Sequence, residues 1–287
     1  MNSENLPTVA VLGTGLIGAP IARNLHKRGF AVRAWNRSQA KAQALSADGI
    51  EACASPADAV RDAEVVVTAL KDGPAVDSVM QAAAPALRPG TIWLQSSTVG
   101  IEAIATLAAL AELLGLVFYD APVQGTRQPA ELAQLIILAS GPLAHRDTAA
   151  RLFDAIGKRT VWVSEQPGAG SRLKLALNNW AFALTHGLAE SLALAKGLDI
   201  DPALVVDVVT GGPMDSAYFQ AKAKAILAGD YAPSFSIANA AKDARLVVDA
   251  AAHAGVQLDA AQASLWRFDR AAAAGHGDKD MAASYLV

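Results

Sequence analysis

The chain has a single cysteine, Cys53, in 287 residues. That excludes an internal disulfide and any metal centre built from several thiolates, and it suits a reducing compartment such as the cytoplasm. Cys53 itself reads as a small buried hydrophobe. Aromatic residues are only 6% of the chain and the formal net charge is −3, so a nucleic-acid partner would find neither a basic field nor stacking platforms. Long uninterrupted apolar runs are missing too. The stretch 101–117 contains Glu112, and the stretch 173–198 contains Lys174, His186, Glu190 and Lys196, so neither reads as a membrane span. The five histidines, His26, His145, His186, His253 and His276, include no helix-face pair flanking a carboxylate, and no metal site is legible in them. His186 lies three turns beyond Lys174 and is the one that could approach a cleft. No internal repeat is present, and the abundant alanine is helix-favouring composition rather than low complexity. The first seven residues, MNSENLP, are polar and acidic and lead straight into a strand, which leaves no room for a signal or transit peptide. What remains, 53% hydrophobic and 18% charged, is a globular balance with length for two domains.

The most informative segment is 7–38, PTVAVLGTGLIGAPIARNLHKRGFAVRAWNRS. It reads as a short apolar strand, the loop Gly13-Thr14-Gly15-Leu16-Ile17-Gly18, a helix, and a second strand ending in Asn36-Arg37-Ser38. Gly13 permits the tight turn, Gly15 lets a pyrophosphate approach the backbone, and Gly18 lets the helix pack against the sheet. The helix aims free N–H groups at the phosphates. Where a dinucleotide site prefers NAD, an acidic side chain near the end of the second strand takes the ribose 2′-hydroxyl; here a guanidinium and two small polar groups stand instead, which suits the 2′-phosphate of NADP(H). A merely solvated Arg37 is the alternative.

Strand-like runs at 9–12, 31–35, 64–69, 91–95 and 116–119 alternate with helical runs such as 20–28 and 101–114. This alternation predicts an α/β fold with a parallel, doubly wound, Rossmann-type sheet. Further strands at 135–140 and 160–164 extend it. From Ser171 onward the pattern is helical, with breaks at Gly197, Gly211-Gly212-Pro213, 229–233 and Gly255. The proline-glycine cluster at 165–170 marks the boundary, giving a nucleotide-binding domain over 1–164 and an all-α C-terminal domain over 165–287. A helix over 171–196, about 39 Å long at roughly 1.5 Å per residue, joins them. A helix array of this size commonly leaves an apolar face, which points to a homodimer or homotetramer.

At the start of that helix, Lys174 and Asn178 stand one turn apart on one face, surrounded by Leu173, Leu175, Ala176 and Leu177. Desolvation beside a helix N-terminus would lower the pKa of such a lysine and make it a usable proton donor near neutral pH. A snorkelling lysine with its head in water is the alternative. For Ser97, after the fifth strand, a helix-capping role stands beside a binding one.

Taken together, these segments resemble the β-hydroxyacid dehydrogenases, the group that includes 3-hydroxyisobutyrate dehydrogenase, tartronate semialdehyde reductase and the glyoxylate/succinic semialdehyde reductases. The resemblance runs in order through the glycine loop with Asn36-Arg37-Ser38, through Ser96-Ser97-Thr98, through Asp120-Ala121-Pro122-Val123-Gln124-Gly125-Thr126, and through Gly170, Lys174 and Asn178. It continues in Gly229-Asp230-Tyr231, Phe235 and Lys242-Asp243. Gln128-Pro129-Ala130-Glu131 with the following Gln134-Leu135-Ile136-Ile137-Leu138 is most similar to the glyoxylate/succinic semialdehyde branch.

The resemblance implies that Lys174 gives a proton to the substrate oxygen while hydride leaves the nicotinamide, that Asn178 positions that oxygen, and that Ser97, Gln124, Gly125 and Lys174 hold a small carbonyl or hydroxy-acid substrate. It further implies a cofactor site formed by Gly13, Gly15, Leu16, Ile17, Asn36, Arg37, Ser38, Leu70, Lys71 and Thr98, with Phe235, Lys242 and Asp243 closing over the nicotinamide. Two departures bear on the substrate: Gln124 and Thr126 stand where the family usually has serine and glycine, and Gln95 replaces an aspartate. An imine reductase, which usually has aspartate or tyrosine at the lysine position, and a non-catalytic NADPH-binding protein are the competing readings. True 6-phosphogluconate dehydrogenase fits less well, since it has a histidine at the position of Leu177 and a much longer helical domain.

Overall fold

The computed structural model describes residues 6–287; most of the N-terminal segment, and with it the reading on targeting peptides, lies outside the described residues. The chain separates into two compact units, 1–174 and 175–287, the division falling inside the long helix.

The first unit is built on nine strands: β1 (Val9–Leu12), β2 (Val32–Trp35), β3 (Glu51–Ala52), β4 (Val65–Thr68), β5 (Ile92–Gln95), β6 (Val117–Asp120), β7 (Val123–Gln124), β8 (Leu135–Ser140) and β9 (Gly157–Ser164). They are ordered 3-2-1-4-5-6-8-7, with β9 paired to β8. The helices of this unit are α1 (Gly18–Lys27), α2 (Gln39–Gln43), α3 (Pro56–Val60), α4 (Gly73–Ala83), α5 (Ile101–Leu113), α6 (Arg127–Glu131) and α7 (Arg146–Ile156), followed by the start of α8 (Ala169–Gly197).

The central strands β1, β4 and β5 are buried at every position because both faces of the sheet are covered, and they are apolar up to Thr68 and Gln95 at the carboxyl ends of β4 and β5. Val9 and Val11 enter one hydrophobic cluster with Ile21, Leu25 and Phe153, while Ala10 and Leu12 enter the other with Met80, Trp93 and Leu107. Trp93 is wholly buried at the edge of Phe118, with 4.8 Å between ring centres.

The pairing of β1, β2, β4, β5 and β6 is parallel throughout. The far side of the sheet departs from the parallel pattern. β8 runs antiparallel to β6 and β7 and parallel to β9, and β9 begins at Gly157 rather than at Thr160. The two-residue strands β3 and β7 carry no sequence period, since alternation over two residues is no pattern.

The second unit is helical: the remainder of α8, α9 (Pro202–Val209), α10 (Ala217–Ala228), α11 (Ile237–Ala254) and α12 (Asp259–Ala271), then short helical turns to the C-terminus. Its helix ends follow their chemistry. Ser216 accepts from Phe219 N to start α10, and Gly229 and Gly255, at φ +64° and +66°, end α10 and α11 in the left-handed conformation that a side chain disfavours. Buried Lys222 and Asp280 form an ion pair at 2.6 Å. Among the described residues no helix is long and apolar enough to cross a membrane.

Candidate functional site

The strand order reverses direction between β1 and β4, and in sheets of this kind ligands bind outside the carboxyl ends of the strands at such a point. The loops leaving β1, β2, β4, β5 and β6 all emerge at that edge, and they carry 13–18, 36–38, 69–71, 96–98 and 121–124. Gly13 has φ +104°, and a Cβ there would strike the Ala69 carbonyl; a Cβ on Gly18 would strike the Gly13 carbonyl. These two glycines therefore bring the β1 loop, the β4 loop and α1 into direct backbone contact. Gly15 is different, since a Cβ there would meet nothing within 4 Å. It is exposed together with Leu16, so the glycine at this place leaves open room above the backbone rather than filling a packed corner. Thr14, 4% exposed, has a buried Oγ1 with no hydrogen-bond partner among the described residues. An open backbone cradle at a helix N-terminus, with an unsatisfied hydroxyl beneath it, fits a dinucleotide pyrophosphate.

Asn36 is committed to the loop itself: its Oδ1 accepts from Thr14 N at 3.1 Å and its Nδ2 donates to the Ser38 carbonyl at 3.2 Å. Arg37 and Ser38 are exposed. Ser38 precedes α2 without a side-chain cap bond, and Arg37 makes no ion pair among the described residues. Lys71 is exposed beside half-buried Leu70.

Ser97 is 4% exposed and does not cap a helix; Gly100 takes that position before α5. Its hydroxyl accepts from Leu70 N at 2.8 Å and donates to the Thr68 carbonyl at 3.4 Å, tying the β5 loop to the β4 loop. Gln95, whose role sequence reasoning left open, explains how Ser97 is held. Its Oε1 accepts from Ser97 N at 2.8 Å and its Nε2 donates to the Ser97 carbonyl at 2.9 Å. Only an amide, with both a donor and an acceptor, can clasp one residue in this way; the family's aspartate lacks the donor. The Trp93 indole N–H fixes the adjoining Thr68 hydroxyl at 3.0 Å.

Lys174 is 8% exposed, and its Nζ donates to Gln124 Oε1 at 2.9 Å. The snorkelling alternative is thereby excluded. Gln124 pairs with Ile136 across β7 and β8, so the ammonium meets the end of a strand whose position the sheet fixes. Thr98 and Gly125 are half-buried in the adjoining loops.

Within the second unit Asn178 is buried, and its Nδ2 donates to Asp243 Oδ2 at 2.8 Å. The Lys242 ammonium lies 2.6 Å from Asp243 Oδ1, off the line of a well-formed hydrogen bond. Phe235 is half-buried, with its N–H directed to Asp280 at 3.2 Å. His186 belongs to the packing of this unit: its ring lies 4.4 Å from that of Phe268 and its Nδ1 meets Ser264 Oγ at 3.0 Å. Burial, reinforced by Arg267 and Arg270, pushes its pKa down to about 4. Among the described residues no group of three or more histidine, cysteine, aspartate or glutamate side chains is placed to hold a metal.

Residues 8–164 match the NAD binding domain of 6-phosphogluconate dehydrogenase, and residues 168–287 match the NAD-binding domain of NADP-dependent 3-hydroxyisobutyrate dehydrogenase. The chain belongs to the β-hydroxyacid dehydrogenase family. It is 31% identical to glyoxylate/succinic semialdehyde reductase 1 of Arabidopsis thaliana, over 96% of both chains. It is also 31% identical to L-threonate dehydrogenase of Cupriavidus necator, over 95% of this chain and 93% of that protein. The crystal structure of 3-hydroxyisobutyrate dehydrogenase from Salmonella typhimurium superposes with a TM-score of 0.90 at 28% identity, covering 97% of this chain and 99% of that one. The protein is thus a 3-hydroxyisobutyrate dehydrogenase-like oxidoreductase with an NAD(P)-binding domain. The three relatives are named for three different substrates.

Proposed function

We propose that this β-hydroxyacid dehydrogenase interconverts a small β- or γ-hydroxy acid and its semialdehyde or keto acid with NADP(H), using Lys174 as the acid/base group. The observation that carries this reading is the buried Lys174 ammonium held at 2.9 Å by Gln124, at the carboxyl edge of the sheet that also carries the glycine loop. Reduced nicotinamide, when bound, supplies a hydride. Reduction of a carbonyl builds negative charge on its oxygen, and an ammonium in a dry site stabilises that charge and then neutralises it by donating a proton. In the other direction the amine accepts the hydroxyl proton. Gln124 Nε2 and the backbone at Gly125 would hold the acid group, Ser97 would keep the β4 and β5 loops in register beside it, and Asn178 would orient the reacting oxygen. Arg37 and Ser38, exposed and uncommitted, would take the 2′-phosphate, while Gly13, Gly15, Leu16, Ile17, Leu70, Lys71 and Thr98 would line the rest of the cofactor site.

The test is a spectrophotometric panel at fixed NADPH with glyoxylate, succinic semialdehyde, methylmalonate semialdehyde and cyclic imines. Loss of reduced-nicotinamide absorbance with the aldehyde acids is the expected result. Turnover with cyclic imines alone, or NADPH binding with no turnover across the panel, would overturn the reading.

The second unit is proposed to pair with another copy of itself. α8 exposes Trp180, Leu184 and Leu194 at helical spacing, with exposed Leu198 directly after its end, and none of the residues of apolar α9 is fully buried. Light scattering after chromatography is expected to give a dimer or tetramer, reduced in mass by Leu194→Arg. A monomeric wild type would exclude this pairing. The single, buried cysteine accords with a cytoplasmic setting.

A further inference from the structure

Asp120 ends β6, is fully buried, and is one of the few ionisable groups of the first unit with no exposure at all. Its two carboxylate oxygens are nearly all used at one place. Oδ2 accepts from Ser171 N at 2.7 Å and Oδ1 from Ser171 Oγ at 2.7 Å, while Ser140 Oγ lies 3.3 Å from Oδ2. Ser140 Oγ in turn accepts from Gly170 N at 3.0 Å. Gly170 has no space for a side chain, because a Cβ there would strike the Leu138 and Asp120 carbonyls. The first turn of α8 is thus pressed against the ends of β6 and β8, with a carboxylate seated at the helix N-terminus where the aligned peptide dipoles favour negative charge.

Lys174 follows Ser171 by three residues on this turn, and Gln124, its partner, follows Asp120 by four. Both chain segments that meet at the ammonium therefore leave from Asp120. We infer that Asp120 is the positioning residue of this site, fixing the Lys174 helix and the Gln124 strand in one register so that the ammonium stands where the substrate oxygen must come. This inference rests on the proposed role of Lys174.

The groups facing Asp120 are all neutral. From α8 they are the Ser171 N–H and hydroxyl, from the turn before it the Gly168 N–H, and from β8 the Ser140 hydroxyl; its neighbour on β5 is Gln95. Of the charged residues in the first turns of α8, Arg172 is exposed and Lys174 is turned to Gln124. Burial pushes the Asp120 carboxyl up to about 6, against the downward pull of the Ser171, Ser140 and Gly168 hydrogen bonds. Acidification through this range protonates one of its oxygens and removes an acceptor from the helix anchor. The linkage has the opposite sign for global stability. A carboxyl with a raised folded pKa contributes stability that is full below about 3.8 and is lost as pH rises through about 6, so acidification from pH 7 to pH 5 strengthens the fold at this group while slowing turnover. A role confined to stability would move both the same way.

The experiment compares the full-length wild type with Asp120→Asn, which keeps the shape but replaces one acceptor by a donor. In Asp120→Asn, kcat is expected to fall about 10- to 100-fold with NADPH affinity within about twofold of wild type. The wild-type decline in kcat below about pH 6 is expected to disappear, and amide exchange of the segment 169–175 is expected to quicken at least about tenfold at equal pH. Should Asp120→Asn not fold, Ser171→Ala, which removes one of the same contacts but keeps the Asp120 carboxyl, is expected to lower kcat more mildly and quicken exchange over 169–175, with the kcat decline moved to higher pH rather than abolished; unchanged exchange and an unchanged kcat profile in it overturn the inference. Unchanged exchange together with an unchanged kcat profile in the folded variant overturns the inference. Lys174→Ala separates the two ideas: if it turns over normally the acid assignment fails, whereas an inactive Lys174→Ala beside a wild-type-like Asp120→Asn refutes the positioning role alone.

Discussion

Two lysines of this protein are almost fully buried, one in each compact unit, and they are held in contrasting ways. Lys222, in the helical unit, is 6% exposed and meets Asp280, which also accepts from Ser234 N and Oγ, Phe235 N and Ala282 N at 2.6–3.2 Å. Burial pushes the Asp280 carboxyl up, but the Lys222 charge and these hydrogen bonds prevail and hold it below the usual carboxylate range. Lys174, in the sheet unit, is 8% exposed and donates to an amide, which accepts a hydrogen bond without carrying a charge. A buried cation locked to a satisfied carboxylate fixes structure, because breaking the pair leaves an uncompensated charge. A buried ammonium that donates to an amide oxygen makes the kind of contact that a developing oxyanion can also accept.

The sharpest test of that contrast is the pair Lys174→Ala and Lys222→Ala. Lys174→Ala is expected to lower kcat by about 10²- to 10⁴-fold, with NADPH affinity unchanged and little change in the urea midpoint. Lys222→Ala is expected to cost about 3–5 kcal/mol of unfolding free energy, because Asp280 stays buried and charged. Because Asp280 also holds the Ser234–Phe235 backbone, local exchange at 234–236 should quicken as well. If the two variants show the same balance of activity loss and stability loss, the distinction between them is wrong.

Much of this arrangement was legible in the sequence, and the limit was distance along the chain. The glycine loop, Asn36-Arg37-Ser38 and the apolar strands announce themselves within a few residues, because turn geometry and two-sided burial leave local signatures. Lys174 was visible as a charge among leucines. Its partner was not: Gln124, 50 residues away, reads from the sequence as a substrate-holding residue in place of a serine and not as the acceptor of the ammonium. Asp120 reaches Ser171 across 51 residues, a contact that only the folded sheet creates. The antiparallel turn of β8 also escaped, since its apolar run of six is the same whichever way the strand points. In the helical unit, Gly229 and Gly255 marked true helix ends, while the ion pair between Lys222 and Asp280, 58 residues apart, left no local trace.

The helical unit carries a second buried base, and its pH response separates it from Asp120 in the sheet unit. His186 has its folded pKa lowered to about 4 from 6.5, so it contributes stability that is full above about 6.5 and lost as pH falls toward and through 4. Over the same interval Asp120 works in the opposite sense. Replacing His186 with glutamine removes the titration, and the unfolding free energies of wild type and His186→Gln are expected to draw apart by about 3 kcal/mol between pH 7 and pH 4, the wild type losing more. Parallel pH curves for the two proteins would show that His186 does not carry the acid sensitivity of this unit.

An exposed cation completes the comparison at the small end of the scale. Arg37 stands at the end of β2 with no ion-pair partner among the described residues, so its charge is already paid out to water and removing it leaves no buried group stranded. Arg37→Ala should leave the unfolding free energy within about 0.5 kcal/mol of wild type. The effect belongs to the cofactor: a charge-assisted contact to a 2′-phosphate at a solvated site is worth about 1.4 kcal/mol, or roughly a tenfold rise in the NADPH dissociation constant. NADH lacks that phosphate, and its affinity should change less than about twofold. Fluorescence titration of both cofactors against both proteins decides the matter. Equal losses for NADPH and NADH would make Arg37 a general electrostatic contributor and remove the basis for NADP preference, whereas a selective loss would show that this exposed cation sets which cofactor binds.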